Sequence, residues 1–118
     1  MTVLDATAAA VTRDDYCEVL YSAEDRNGTD GLLEVQRAFE FDQQDRELGQ
    51  DTYCLVLDTG PVHYGGVERW AAVEGGVRMQ LSPAAAEALG VDRDLEIRLP
   101  DPEHHALVVD ALARLLVE

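Results

Sequence analysis

Apolar and polar residues alternate in three runs between residues 51 and 81, and turn residues separate the runs, which is the pattern of an antiparallel meander. Tyr53, Leu55 and Leu57 alternate with Cys54, Val56 and Asp58 before Thr59-Gly60-Pro61 breaks the run. The pattern resumes over 62–73 through His63, Tyr64, Val67 and Trp70. Glu74-Gly75-Gly76 then supplies a second reversal, where a positive φ costs a glycine little. Val77, Met79 and Leu81 alternate with Arg78 and Gln80 to close the unit.

Upstream, residues 5–13 and 16–23 pattern as two antiparallel strands joined at Arg13-Asp14-Asp15. Cys17, Val19 and Tyr21 fall on one face of the second, and Glu18, Leu20 and Ser22 on the other. The alanines at 6 and 8–10 are weak strand formers, so a short helix or an edge strand are both open at the N-terminus. Residues 24–31 are polar and punctuated by glycine, as a loop requires. Residues 32–41 fit both a two-residue and a helical period; the start after Gly31 and the aromatic end favour a strand, with Arg37 then pointing inward unless it pairs with a carboxylate.

Downstream, Ser82-Pro83 opens a short helix that Gly90 stops, and Leu95, Ile97 and Leu99 alternate as one more strand. Asp101-Pro102 starts the last helix by the same cap-then-proline logic. Leu107, Val108, Ala111, Leu112 and Leu115 give it an apolar stripe that should lie on the sheet. Strands that precede helices without regular alternation argue α+β. The expected fold is an antiparallel sheet of five to seven strands, with 51–81 as its central meander, packed against the C-terminal helix, and a short helix near 83–89. At 118 residues, with 47% hydrophobic positions and no linker or repeat, one domain over 1–118 is expected.

Charge changes this picture most. The chain carries 24 acidic residues against nine basic ones, all arginine, for a net charge of −15. Such a surface repels nucleic acid at long range and favours a basic partner; solubility alone is the plainer explanation. Glu40, Asp42, Asp45, Glu47 and Asp51 concentrate negative charge around a single Arg46 just ahead of the meander, either as a solvated turn or as an acidic epitope for a basic protein surface. No run is long enough to span a bilayer and the first residues lack a basic leader, so a cytoplasmic location away from membranes is expected.

Candidate chemistry is sparse. Cys17 and Cys54 lack the close pairing of structural zinc ligands, and suit small buried hydrophobes in a reducing compartment. His104 and His105 fall in the first turn of the last helix, where exposure is the ordinary outcome. His63 beside Tyr64 could act as a base in a cleft, but no nucleophile shows a companion motif. Gly65-Gly66 and Gly75-Gly76 lack the lysine and hydroxyl of a phosphate loop, and mark a bulge or a close approach instead. Trp70 fits either the core or an interface. No metal, cofactor or catalytic residue is expected.

The segments QRAFEFDQQDRELGQDTYCLV, HYGGVERW and LSPAAAEALG together resemble the bacterial polymorphic-toxin immunity proteins of family ten. In that family an acidic segment ending in a DTYCLV-like strand is joined to HYGGV and a tryptophan, and then to a helix before a strand. Glu40, Phe41, Asp42, Gln44, Asp45, Leu48, Gly49, Asp51, Tyr53, Cys54, His63, Tyr64, Gly65, Gly66 and Trp70 occupy those places here. The resemblance covers roughly residues 36–99, and the N-terminal hairpin and final helix carry none of its motifs. It implies a protein without catalysis that binds and neutralises a cognate secreted toxin domain. With the charge, it points to a toxin with a basic surface, met by Glu40, Asp42, Asp45, Glu47, Asp51, Tyr64, Glu68 and Trp70, with the chain acting as a monomer or homodimer. The alternative is a small enzyme or ligand-binding domain using His63, Tyr64 and Trp70.

Overall fold

The computed structural model describes residues 1–23, 31–57 and 60–116. The elements in order are β1 (Thr2–Asp5), β2 (Ala8–Arg13), β3 (Cys17–Ala23), β4 (Gly31–Ala38), α1 (Gln43–Glu47), β5 (Cys54–Leu57), β6 (Val62–Tyr64), β7 (Val67–Val73), β8 (Gly76–Leu81), α2 (Pro83–Leu89), β9 (Asp94–Arg98) and α3 (Pro102–Leu115). They form an α+β fold with a five-stranded antiparallel sheet, β2-β3-β4-β5-β6, and a four-stranded sheet, β1-β9-β8-β7. The expected loop over 24–30 and the turn residues Asp58 and Thr59 lie outside the described residues.

The stretch 51–81 crosses from one sheet to the other. The run 62–73, expected as one strand, is two: β6 completes the five-stranded sheet and β7 starts the four-stranded one. Gly65 and Gly66 turn the chain between them with φ of 68° and 100°, a region that side chains disfavour. A Cβ on Gly66 would lie 2.5 Å from Ala85 Cβ, so the turn sits directly against α2. Tyr53 holds the crossing in place: it is buried, its carbonyl accepts from Gly65 N at 2.8 Å, and its hydroxyl accepts from Val67 N at 2.8 Å.

The N-terminal residues take the edge-strand form rather than the short helix, but as two strands at the edges of different sheets. Residues 2–5 form β1, which pairs in parallel with β9, while 8–13 pair with β3. Thr2 Oγ1 accepts from Asp92 N at 2.9 Å and anchors the strand beside the start of β9. A parallel partner more than 90 positions away leaves no local signature, which is why alternation within 5–13 could not separate the two strands.

The core lies between the inner faces of the sheets. Leu20, Val35 and Leu55 face inward in register across β3, β4 and β5, and Val77, Met79, Leu81, Leu95 and Ile97 do so from β8 and β9. Helix α3 touches β2, β3 and β4 of one sheet and β8 of the other, burying Val108, Ala111, Leu112 and Leu115. Its C-terminal end is fixed by charge. Glu18, with 5% of its side chain exposed, accepts from Arg114 at 2.7 Å and Arg13 at 2.9 Å. Arg37 points inward as expected, donating to Leu115 O at 3.1 Å, where a cation complements the end of the helix dipole. Among the described residues, no helix is long and apolar enough to cross a membrane.

Candidate functional site: an acidic and aromatic face

Strand alternation that sends Leu20, Val35 and Leu55 inward sends their neighbours to the opposite face of the five-stranded sheet. Cross-strand register aligns Thr12, Val19, Gln36, Cys54 and Tyr64 in one row, and Ala10, Tyr21, Glu34, Val56 and Val62 in the next. No described element packs over the second row, and Tyr21 and Val62 are exposed there. The connection 39–53 between β4 and β5 hangs over one end of the face. It carries exposed Phe39 and Leu48, and Phe39 N donates to Tyr16 O at 2.9 Å. Tyr16 projects because Asp14 takes both Tyr16 N at 2.7 Å and Cys17 N at 2.8 Å in a tight turn. Those two amides, Cys17 first, hold the Asp14 carboxyl below its usual range.

Seven large apolar side chains are exposed among the described residues, and six of them (Tyr16, Tyr21, Phe39, Leu48, Val62 and Tyr64) belong to this face or the loops at its end. Clusters of this kind mark interaction surfaces more often than scattered single residues do. The hairpin tyrosine, Tyr21, Phe39 and Val62 were not among the residues singled out from sequence; opposition of Tyr21 to buried Leu20 in strict alternation was the available signal.

The acidic residues form the rim of the same face. Helix α1 is one short turn whose carboxylates cap one another: Asp42 accepts from Asp45 N at 2.7 Å and Asp45 accepts from Asp42 N at 3.1 Å. Gln43 donates to Glu47 at 3.0 Å, and Glu40 and Asp51 are exposed on either side. Asp45 and Tyr64 meet across a shallow pocket of about 170 Å³ that also has Phe41, Gln36, Cys17 and Cys54 in its wall. Both thiols are pushed up, Cys54 by burial and then by the Glu34 charge, Cys17 by loss of solvent and then by Asp14. Neither is poised as a nucleophile.

Of the residues expected to share one surface, Glu40, Asp42, Asp45, Glu47, Asp51 and Tyr64 lie together. Glu68 and Trp70 lie on β7 of the other sheet. Glu68 pairs with Arg93 at 2.5 Å, and Trp70, opposite Met79, is half-buried against the core. His63 pairs with Leu55 on the inner side of β6 and approaches Gly65 O at 3.2 Å, whereas Tyr64 points outward. His63, Tyr64 and Trp70 therefore do not converge on a common cleft.

The profile described as immunity protein 10 matches residues 5–107. The chain belongs to the immunity protein 10 family. No curated protein and no solved structure matches it. The family span takes in the β2–β3 hairpin and the start of α3, both of which lie outside the motifs that carry the resemblance in sequence. In this chain the hairpin, with Tyr16 and Tyr21, lies at the same face as the acidic segment.

Proposed function

We propose that this protein neutralises a cognate toxin domain by steric and electrostatic occupation, without catalysis, through the outer face of its five-stranded sheet. The observation that carries this reading is the collection of six exposed apolar side chains on one face and the loops at its end, rimmed by Glu40, Asp42, Asp45, Glu47 and Asp51. Tight interfaces place aromatic anchors at the centre and polar groups at the rim. Tyr21, Phe39 and Tyr64 supply the first and the β4–β5 connection supplies the second. A net charge of −15 steers the chain toward a basic surface, such as the substrate-binding side of a toxin that acts on nucleic acid. Glu68 and Trp70 fall outside this proposed contact.

The decisive experiment pairs the chain with a toxin domain encoded beside it and scores survival on co-expression and recovery of a complex. Tyr64→Ala and Tyr21→Ala should each weaken the complex by about tenfold or more, as anchors near the centre of an interface do. A complex insensitive to both, yet lost on altering another face, would overturn the assignment.

A further inference from the structure

Three of the four sheet edges are blunted. β6 is three residues long behind Pro61, β1 is four residues long, and β2 lies under α3. Exposed edges are ordinarily shortened, covered or interrupted, because their free backbone groups pair with any strand that fits. β7 is the least protected: a bulge interrupts its register between Val67 and Arg69, but residues 69–73 run unbroken at the edge of the four-stranded sheet, with no proline and, among the described residues, no strand beyond them.

Hairpin geometry fixes which backbone groups point outward. Val73 and Gly76 close the turn, and Leu81 N donates to Arg93 O on the β9 side, so Val73, Ala71 and Arg69 bond toward β8. Trp70 and Ala72 therefore present their N–H and C=O groups to the free edge. Open grooves of about 620 and 400 Å³ flank the strand, and Arg69 and Trp70 line both.

We infer that β7 pairs antiparallel with β7 of a second copy of this chain, across a two-fold axis at Trp70, to join two four-stranded sheets into one of eight. The sequence VERWAAV is self-complementary in that register: Trp70 meets Trp70, and Arg69 faces Ala71, so no like charges oppose each other and a bulky group meets a small one. Charge selects a second copy over an unrelated chain. On the outer face of this sheet Arg69, Arg78 and Arg98 balance Asp5, Asp94 and Glu96, whereas the chain as a whole carries −15. Two such acidic molecules approach with least repulsion here. Pairing through β7 leaves the acidic and aromatic face of the other sheet open, so the dimer does not depend on toxin binding.

Sedimentation of the purified chain tests the inference. The expected species has twice the 13.0 kDa mass of one chain. Ala72→Pro removes only an outward N–H and should yield a folded monomer. Ala71→Arg sets like charges opposite Arg69 of the second copy and should raise the dimer dissociation constant about tenfold, whereas Ala71→Glu should lower it. Ala71 is exposed, so these two variants keep the test sharp even where Ala72→Pro folds poorly. A wild-type monomer at concentrations up to about 1 mM, or a dimer indifferent to both Ala71 substitutions, overturns it.

Discussion

Asp42 and Asp45 each accept the other's backbone N–H, so two carboxylates of the acidic rim also hold the only turn of α1 together. Read from sequence only as a solvated turn or an acidic epitope, the segment has the spacing of a reciprocal helix cap, an acceptor three residues ahead of a second acceptor. Asp42→Ala should therefore release the turn at a cost of about 1 kcal/mol, while Asp42→Asn keeps an acceptor and loses only the charge. Hydrogen exchange at the Asp45 and Gln50 amides reports this directly. Equal protection in Asp42→Ala and the wild type would show that the cap does not order the segment.

Glu18 predicts how the fold responds to acid. Burial alone would raise its pKa, but hydrogen bonds from Arg114 and Arg13 outweigh burial and hold it below the usual range. The folded value is thus lower than the unfolded one. Its contribution is complete above the ordinary glutamate pKa of about 4.3 and disappears as pH falls through the folded value. Melting temperature should drop below that pH in the wild type. Glu18→Gln should melt lower at neutral pH, by roughly the 1.5–3 kcal/mol of a hydrogen bond to a charged group, with a flatter acid limb. Parallel acid limbs for the two proteins would assign the acid sensitivity to Asp14, Asp92 and Glu96 instead, whose values are also lowered.

Local physics wrote most of the fold into the sequence. Ser82-Pro83 and Asp101-Pro102 mark α2 and α3 because each cap serves a backbone amide one turn away, and Ser82 Oγ does accept from Ala85 N at 3.1 Å. Alternation along β5 likewise sends Leu55 and Leu57 into the core. What stayed hidden depends on distant partners. Nothing near β1 encodes its pairing with β9, and nothing between 62 and 73 says that Gly65-Gly66 passes the chain to another sheet. The candidate face was half legible: the charges cluster in sequence, but Tyr16, Tyr21, Val62 and Tyr64 gather around them only once β2 to β6 are in register.

Gly66 should be the least replaceable residue of that crossing. Its φ of 100° disfavours any side chain, and an added Cβ would meet Ala85 at 2.5 Å and the His63 ring at 3.1 Å. Gly66→Ala therefore combines backbone strain of roughly 1–3 kcal/mol with displacement of α2. Gly75→Ala, with φ of 70° and open space around it, should cost only the strain. Urea midpoints rank the two; a Gly66→Ala protein as stable as Gly75→Ala would mean that α2 yields freely at this contact.

The electrostatic half of the proposed interface is best tested where charge and folding do not overlap. Asp42 and Asp45 fail that condition because they cap α1, but Glu40, Glu47 and Asp51 are exposed and outside the cap. Glu40→Gln, Glu47→Gln and Asp51→Asn together keep shape and remove three negative charges from the rim. If long-range attraction guides the chain onto a basic toxin surface, association should slow severalfold at low salt and its dependence on ionic strength should flatten. Dissociation should change less, because rim charges steer encounter while buried anchors such as Tyr64 set residence time. The melting temperature of the free protein serves as the control and should stay near the wild-type value. Association kinetics identical to wild type across ionic strengths would remove the charged rim from the mechanism and leave the exposed aromatic residues to account for binding.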